Sequence, residues 1–211
     1  MFRRIQLGIK FTVDRILALL ALIVLAPVFL IIALAIKLDD GGPVFFSHKR
    51  AGLNGHSFDI WKFRSMIVDA DRFLDESGAP TANRITRVGK FLRQTSMDEL
   101  PQLYNILIAD MSLVGPRPVL PEHIQRYSAE QKRRFEIRPG LTGLAQVNGR
   151  NTLKWSKRLE LDVQYLDQFN LLLDVVIVFK TIAMLLTTSV SRLDRNPDEV
   201  NDLPTRGDES Q

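Results

Sequence analysis

Residues 16–36 read ILALLALIVLAPVFLIIALAI, an apolar run of 21 residues without a charged or strongly polar side chain. At about 1.5 Å per residue a straight helix of this length spans roughly 32 Å, enough to cross the hydrocarbon core of a bilayer. The run is too long for a cleaved signal peptide, and no small-residue cleavage site ends it. This stretch therefore predicts a membrane-anchoring segment, residues 1–38, in front of a separately folded domain.

Pro27 stands at the middle of the run, and Arg15 and Lys37 flank its two ends. A proline in a helix interior costs roughly 3 kcal/mol, and in hydrocarbon the carbonyl groups that it frees need new partners. Two arrangements are open: a kinked helix that spans the bilayer, and a helix-break-helix hairpin that enters and leaves by one face. Because both flanks are basic, both favour the cytoplasmic side, and the charge pattern favours the hairpin.

The chain of 211 residues has room for one domain besides this segment. Its formal charge is +4, but the tail from residue 192 holds three arginines and six acidic residues, so the rest carries +7. Such an excess suits nucleic acid, anionic lipid or a phosphorylated substrate. The absence of cysteine excludes disulfides and thiolate chemistry, and His48, His56 and His123 lack zinc-ligand spacing.

Beyond the anchor the sequence predicts an α/β fold that is mostly helical with a short β-hairpin or small sheet. We expect a catalytic domain over residues 39–191 and a disordered acidic tail over 192–211. Strands at 44–46 and 58–63 form the hairpin. Helices are expected over 67–76, 88–92, 99–107, 121–135, 155–169 and 171–190, and loops over 77–83 and 139–150. The last helix contains Asp174 and Lys180, so it is expected to lie amphipathically on the membrane interface rather than to span the bilayer.

Two adjacent carboxylates, Asp98 and Glu99, follow Arg93, and Arg117 stands between two prolines further on. A carboxylate can attack a phosphoryl group or hold a metal ion, while guanidinium groups neutralise phosphoryl oxygens. Each motif also has a structural interpretation, since acidic residues stabilise a helix N-terminus and an arginine can hold a turn. In combination with the anchor, these motifs predict phosphate chemistry at a membrane surface.

Four separated blocks of sequence point to one family. They are DGGPVFFSHKRAGLNGHSFDIWKFRSM (40–66), RITRVGKFLRQTSMDELPQL (84–103), ADMSLVGPRPV (109–119) and RPGLTGLAQVNGRN (138–151). Over residues 10–190 the chain resembles the bacterial sugar transferases known as monotopic, small-type phosphoglycosyl transferases. The resemblance implies transfer of a hexose-1-phosphate from a UDP-sugar to polyprenyl (undecaprenyl) phosphate with release of UMP. It also implies a place at the cytoplasmic face of the bacterial inner membrane, at the first step of exopolysaccharide, O-antigen or glycoconjugate synthesis.

The resemblance implies roles for individual residues as well. Asp98 would be the nucleophile that forms an aspartyl-phosphosugar intermediate, Glu99 would hold the dyad or the incoming phosphate in place, and Mg²⁺ would bind at Asp98 and the donor diphosphate. The family's membrane segment is a re-entrant helix broken at a proline, which here is Pro27. Substrate phosphate would be bound by Lys62, Arg64, Arg93 and Arg117, and nucleotide and sugar would lie near Gln146, Asn148, Arg150 and Asn151.

The sugar and the oligomeric state are less well determined by the sequence. Residues 40–42 and 174–182 resemble those of family members that act on UDP-galactose or UDP-glucose, which implies one of these donors. A homodimer is one of the open oligomeric states. Ala26 stands where the family often has serine, so carbonyl groups freed at a break would need other partners. Two further classes stay open: a non-catalytic basic adaptor on membrane lipids, and a nucleic-acid binder. The nucleic-acid binder is disfavoured because the arginines neighbour carboxylates and the anchor has no purpose there.

Overall fold

The computed structural model describes residues 2–70, 84–149, 152–187 and 202–203. Along these residues the fold is mostly helical with two small two-stranded sheets, as the sequence predicts. In chain order the helices and strands are α1 (Phe2–Asp40), β1 (Phe45–Ala51), β2 (Ser57–Phe63), α2 (Arg87–Thr95), α3 (Gln102–Leu107), β3 (Ser112–Val114), α4 (Ala129–Lys132), β4 (Gly140–Thr142), α5 (Leu144–Val147), α6 (Trp155–Gln168) and α7 (Leu171–Thr187).

α1 is a continuous helix of 39 residues that passes through Pro27. Its buried positions, from Lys10 through Ala18 to Ile36, recur at the spacing of one helical face. Both halves of α1 therefore pack against the rest of the protein. The break predicted at Pro27 is not seen in this helix, and the re-entrant arrangement stays a prediction.

The outward face of α1 is apolar, with Leu20, Ile23 and Val24 among its exposed side chains. Over residues 3–40, α1 is long and apolar enough to cross a membrane, and no other helix in the described ranges passes that test. α7 presents a second exposed apolar face, which includes Phe179 and Leu186. Exposed apolar surface of this extent is typical of proteins that contact a membrane or a partner.

A buried polar cluster joins α1 to α7. The Lys10 ammonium group lies 2.7 Å from a carboxylate oxygen of Asp174 and 3.4 Å from one of Asp14. The Tyr165 hydroxyl donates to the other Asp174 oxygen at 2.7 Å, and the Ser112 hydroxyl donates to Asp14. Because a buried charge is costly without a partner, this arrangement fixes the relative positions of α1, β3 and α7.

The β1–β2 hairpin is antiparallel, with its register running from the Phe45–Phe63 pair to the Ala51–Ser57 pair. The side chain of Asn105 on α3 fixes the second strand. Its amide oxygen accepts from the Trp61 backbone N–H at 3.0 Å, and its amide nitrogen donates to the Asp59 carbonyl at 2.7 Å. This clamp holds the strand at the position that precedes Lys62.

Replacement of Asn105 by alanine is expected to lower the free energy of unfolding by about 2–4 kcal/mol, because two buried backbone groups of β2 lose their partner. The Asn105 side chain is fully buried. Thermal or chemical unfolding of the detergent-solubilised protein measures this change. Asn148→Ala is the matched control, since Asn148 is exposed and bonds only within its own helical turn. An equal loss in the two variants would contradict the clamp.

A parallel pair of short strands, β3 and β4, supports the segment before Arg117. The Gly115 N–H donates to the Thr142 carbonyl at 2.9 Å, and the Gly140 N–H donates to the Pro116 carbonyl at 3.0 Å. A Cβ atom on Gly140 would lie 2.1 Å from the Gly115 nitrogen, so the two backbones approach too closely for any side chain. Part of the predicted loop 139–150 is therefore ordered structure, with β4 and α5 inside it.

The helix predicted over 121–135 is not one element. It consists of a 3₁₀ turn at Pro121–Arg126, α4, and a second 3₁₀ turn at Arg133–Glu136. Tyr127 and Ser128 are extended, and Ser128 caps α4 in a reciprocal capping box with Gln131. A serine followed three residues later by glutamine is a helix-start signal, which explains the interruption.

The helices expected over 155–169 and 171–190 correspond to α6 and α7 in the described residues. The predicted helix 67–76 and loop 77–83 lie largely outside the described ranges. The same holds for the tail, apart from Asp202 and Leu203. The Asp202 carboxylate accepts from the backbone N–H of Ser156 at 2.9 Å, so this part of the tail contacts α6.

Candidate active site

A cavity of about 1190 Å³ opens between the hairpin, the turn before α3, and helices α6 and α7. Its polar wall holds both members of the acidic pair, Asp98 and Glu99, together with the basic residues Lys62 and Arg117. Part of its lining is apolar and comes from α7 through Val178, Ile182 and Leu185. The cavity thus combines charged and apolar lining.

The acidic pair lies on a separate 3₁₀ turn, Met97–Glu99, between α2 and α3. The sequence predicts the pair at the first turn of a helix over 99–107, whereas α3 begins at Gln102 after Pro101. Ser96 ends α2 in the left-handed region, with φ of 58°, and so turns the chain before the pair. The short turn points both carboxylates at the cavity.

Glu99 is held between two cations. One of its carboxylate oxygens lies 2.7 Å from the Lys62 ammonium group and 2.7 Å from the Arg117 guanidinium group. Burial alone would raise the pKa of Glu99, but the charges of Arg117 and Lys62 hold that pKa well below its usual range. The Glu99 carboxylate is therefore ionised, and it holds the Lys62 and Arg117 side chains at the cavity.

Asp98 has the opposite environment. Its side chain is 12% exposed, no hydrogen bond to its carboxylate is found among the described residues, and its nearest cation is Lys62 at 3.8 Å. Burial raises the pKa of Asp98, while the charge of Lys62 lowers it in part and that of Glu99 raises it further. Adjacent carboxylates with pKa values pushed apart are typical of pairs with different chemical roles. Of the two carboxylates, only that of Glu99 is bound directly by cations, and that of Asp98 is left without a hydrogen-bond partner in the described residues.

The backbone around Arg117 is held from three directions. The Arg134 guanidinium group donates to the Arg117 carbonyl at 2.6 Å, and the Ala51 N–H donates to the Val119 carbonyl at 2.8 Å. The parallel strands fix the preceding Gly115. The Arg117 side chain is exposed to the cavity and binds Glu99, so a rigid backbone presents it to any anion that enters.

Arg93 and Arg64, both predicted to bind substrate phosphate, lie in different places. Arg93 lines the cavity, and its Nε donates to the Ser65 hydroxyl at 3.1 Å. Arg64 does not line the cavity, in contrast to the expectation. Its guanidinium group binds both oxygens of Asp40 and the Pro43 carbonyl, so its donors are used within the fold. The Arg64 guanidinium group therefore joins the hairpin to α1 and does not contribute to the cavity.

The predicted nucleotide and sugar loop is only partly at the cavity. Gln146 lines the cavity and is buried, and its side-chain oxygen has no hydrogen-bond partner among the described residues. Such an oxygen can accept from a substrate donor. Asn148 is exposed and does not line the cavity, since its side chain bonds the Leu144 carbonyl at 2.7 Å. Arg150 and Asn151 lie outside the described residues.

Sequence reasoning missed several charged residues of the cavity. Arg50 at the end of β1, Arg158 on α6, and the Arg134–Asp162 pair all line it. None of these arginines stands between two prolines as Arg117 does, so no local signal singled them out. They come together only through the packing of the hairpin, the segment after β3 and α6.

The residues present fit a Mg²⁺ ion that is shared with a substrate. Mg²⁺ is usually bound through one or two carboxylates together with phosphate oxygens and water. Asp98 offers one such carboxylate at the cavity. No group of three or more His, Cys, Asp or Glu residues occurs in the described ranges, so a cage made only of protein ligands is not seen there. The Mg²⁺ requirement stays a prediction.

Comparison with known proteins decides the family. A family model for bacterial sugar transferases matches residues 5–188 of the chain. The chain belongs to this family. The prediction of a phosphoglycosyl transferase made from the four sequence blocks is thereby confirmed, and relatives named for such activity support it.

Three relatives illustrate the range of similarity of this sugar transferase. It is 43% identical over 188 residues to the exopolysaccharide production protein ExoY of Sinorhizobium fredii, over 82% of this chain and 83% of that protein. It is 42% identical over 180 residues to the UDP-glucose:undecaprenyl-phosphate glucose-1-phosphate transferase of Escherichia coli, over 80% and 38% respectively. It is 39% identical over 193 residues to the UDP-galactose-lipid carrier transferase of Erwinia amylovora, over 84% and 40%.

Proposed function

We propose that this sugar transferase moves a hexose-1-phosphate from a UDP-sugar to undecaprenyl phosphate and releases UMP. The observation that carries the proposal is the pair of adjacent carboxylates in a basic cavity. Asp98 has no hydrogen-bond partner among the described residues, whereas Glu99 is bound to two cations. The names of relatives support the substrates, since two of them specify a UDP-sugar or undecaprenyl phosphate. The product would begin a polysaccharide, as the name of the ExoY relative suggests.

The reaction proceeds in two displacements at the same phosphorus. In the first, an Asp98 oxygen bonds to the β-phosphorus of the donor, the bond from that phosphorus to the bridging oxygen breaks, and UMP leaves with the electron pair. In the second, a phosphate oxygen of the lipid bonds to this phosphorus, and the Asp98 carboxylate leaves. A carboxylate nucleophile allows the aqueous donor and the lipid acceptor to use the site in turn.

Lys62 and Arg117 stabilise the charge that develops on the phosphoryl oxygens. Both are held at 2.7 Å from Glu99 before any substrate arrives, so little reorganisation is needed during reaction. Glu99 positions these cations, and Arg93 adds charge at the cavity edge. Asp98 would hold a Mg²⁺ ion, which would neutralise negative charge on the donor diphosphate.

The proposed setting is the cytoplasmic face of the bacterial inner membrane. The exposed apolar faces of α1 and α7 belong to two helices that the buried Lys10–Asp174 pair holds together. Both halves of α1 pack on the same domain, which favours a helix that stays with that domain on one side of the membrane over a crossing. The apolar wall of α7 leads from this surface to Asp98, so a lipid phosphate can reach the site.

We propose an unmodified hexose, glucose or galactose, as the transferred sugar. Relatives whose names specify a sugar divide between these two, since the Escherichia coli protein is named for UDP-glucose and the Erwinia amylovora protein for UDP-galactose. Gln146 lines the cavity, and we propose that a small shift of its side chain lets its unpartnered oxygen accept a hydrogen bond from a sugar hydroxyl or from the nucleobase.

The purified full chain in lipid nanodiscs is expected to release UMP from UDP-glucose or UDP-galactose when undecaprenyl phosphate is supplied. UMP is quantified for a panel that also includes UDP-N-acetylglucosamine. Without the lipid acceptor, release should stop near one UMP per chain, because each Asp98 is esterified once. Absence of UMP from every donor would favour the non-catalytic adaptor. Steady release without acceptor would contradict the two-step scheme.

A further inference from the structure

Three arginines from separate elements line the cavity: Arg50 from β1, Arg117 from the segment after β3, and Arg158 from α6. Arg117 pairs with Glu99 at 2.7 Å. Among the described residues, neither Arg50 nor Arg158 has a carboxylate within 4 Å. Both guanidinium groups therefore lack a direct ion pair in the cavity that they share with Arg117.

The nearest candidate partner of Arg158 is already taken. Asp162 lies one helical turn beyond Arg158, but its carboxylate pairs with Arg134 at 2.8 Å, and both members of that pair are buried. The Arg158 Nε donates to the Leu153 carbonyl at 3.0 Å, and its guanidinium carbon lies 5.2 Å from the centre of the Trp155 ring. These contacts orient the guanidinium group but leave its charge unpaired.

Arg50 is oriented by a neutral group. Its Nε donates to His48 Nε2 at 2.7 Å. Burial and the charges of Arg50 and Lys62 lower the pKa of His48 to about 4, so the ring is uncharged at neutral pH and can accept this bond. The bond from the Ala51 N–H to the Val119 carbonyl holds the end of β1 beside the Arg117 segment.

The charge of Arg117 acts on both of the other guanidinium groups. Burial lowers the pKa of Arg50 and of Arg158, and the charge of Arg117 lowers both further, while Glu99 and Glu122 raise that of Arg50 and Asp162 raises that of Arg158. Like charges close together oppose folding, and an anion bound between them reduces that repulsion. A guanidinium group is also the donor best suited to phosphate oxygens.

We infer that Arg50 and Arg158 form a second anion subsite, which binds the phosphate of the nucleotide that leaves as UMP. This inference rests on the proposed function. Lys62 and Arg117 lie next to Asp98 and hold the phosphoryl group that is transferred. The donor carries two phosphates joined by one oxygen. Arg117 shares Glu99 with Lys62, and its charge also acts on Arg50 and Arg158, so it links the two cationic groups. The diphosphate thus lies across Arg117, with its nucleotide end toward α6.

Binding of UMP and of uridine to the purified full chain, measured by isothermal titration calorimetry, tests the subsite. Arg50→Gln and Arg158→Gln are each expected to weaken UMP binding roughly 10- to 100-fold, because each loses charge-assisted hydrogen bonds to the phosphate. Uridine, which lacks the phosphate, should bind the variants as it binds the wild type. Arg158→Lys should retain part of the UMP affinity, since it keeps the charge but not the forked donors.

Lys157→Gln is the matched control, because Lys157 neighbours Arg158 on α6, is exposed, and pairs only with Glu160. It should bind UMP like the wild type. Unchanged UMP affinity in both glutamine variants would overturn the subsite, and so would an equal loss of uridine and UMP affinity. UMP release from UDP-sugars by the wild type is measured in parallel. Its absence would count against the proposed function, whereas the UMP-binding comparison tests the subsite separately.

Discussion

Replacement of Asp98 by asparagine is expected to reduce UMP release by at least roughly 10⁴-fold, the scale on which loss of a covalent nucleophile acts. The amide is nearly isosteric with the carboxylate but cannot attack phosphorus. The Asp98 carboxylate makes no hydrogen bond within the described part of the chain, so the substitution should leave the fold intact. A UDP-sugar with a radiolabelled sugar measures both turnover and the label that stays bound to the protein.

Asp59→Asn is the control for this substitution, since Asp59 is an exposed carboxylate that pairs with Lys49 on the hairpin. It should turn over and trap label as the wild type does. Acid-quenched peptides from the wild type should carry the phosphosugar mass on residues 84–103. Label trapped on the Asp98→Asn protein would place the nucleophile elsewhere.

Replacement of Lys62 by methionine is expected to reduce kcat/KM by roughly 10²- to 10³-fold, through loss of a preorganised cation at the phosphoryl oxygens. It should also change the pH dependence. Asp98 attacks only when ionised, and burial already raises its pKa while Lys62 lowers it. Without Lys62 the pKa of Asp98 rises further, so activity should be lost at a higher pH as the pH falls. Profiles of kcat/KM against pH measure both effects.

Lys49→Met provides the comparison within the same hairpin. Lys49 also lies 2.7 Å from a carboxylate, that of Asp59, but both groups are largely exposed. Exposed ion pairs contribute about 0–1 kcal/mol, so this variant should keep both the rate and the pH profile. A Lys62→Met enzyme with a reduced rate but an unmoved acid limb would contradict the coupling to Asp98.

Much of the fold follows from local signals in the sequence. The apolar run, the hairpin and the two C-terminal helices each have an unbroken pattern, and each appears in the structure. The interruption near Ser128 had its own signal, the capping pair with Gln131, which the longer helical pattern obscured. No local signal in the sequence indicated that α1 continues through Pro27. That continuity depends on the surface of the domain against which both halves of the helix pack.

The candidate site was predictable only where chemistry and sequence coincide. The structure brings Lys62, Asp98, Glu99 and Arg117 together at one cavity, although they come from three separate blocks. Arg64, two residues after Lys62, instead binds Asp40. Strand geometry places neighbouring side chains differently, but the partner that Arg64 finds on α1 is a tertiary contact. Arg50 and Arg158 are likewise recognisable only when the hairpin and α6 face each other.

The Lys10–Asp174 contact has a consequence for how far the enzyme can reach. The apolar outer faces of α1 and α7 belong to helices that a buried ion pair joins, so neither helix can tilt or move into the membrane without the other. In the proposed membrane-bound arrangement, the distance of the Asp98 carboxylate from the lipid headgroups is then fixed by the fold. In that arrangement a lipid acceptor whose phosphate lies at the same depth as Asp98 can react. A lipid with a longer polar linker before its phosphate would hold that phosphate too far from Asp98.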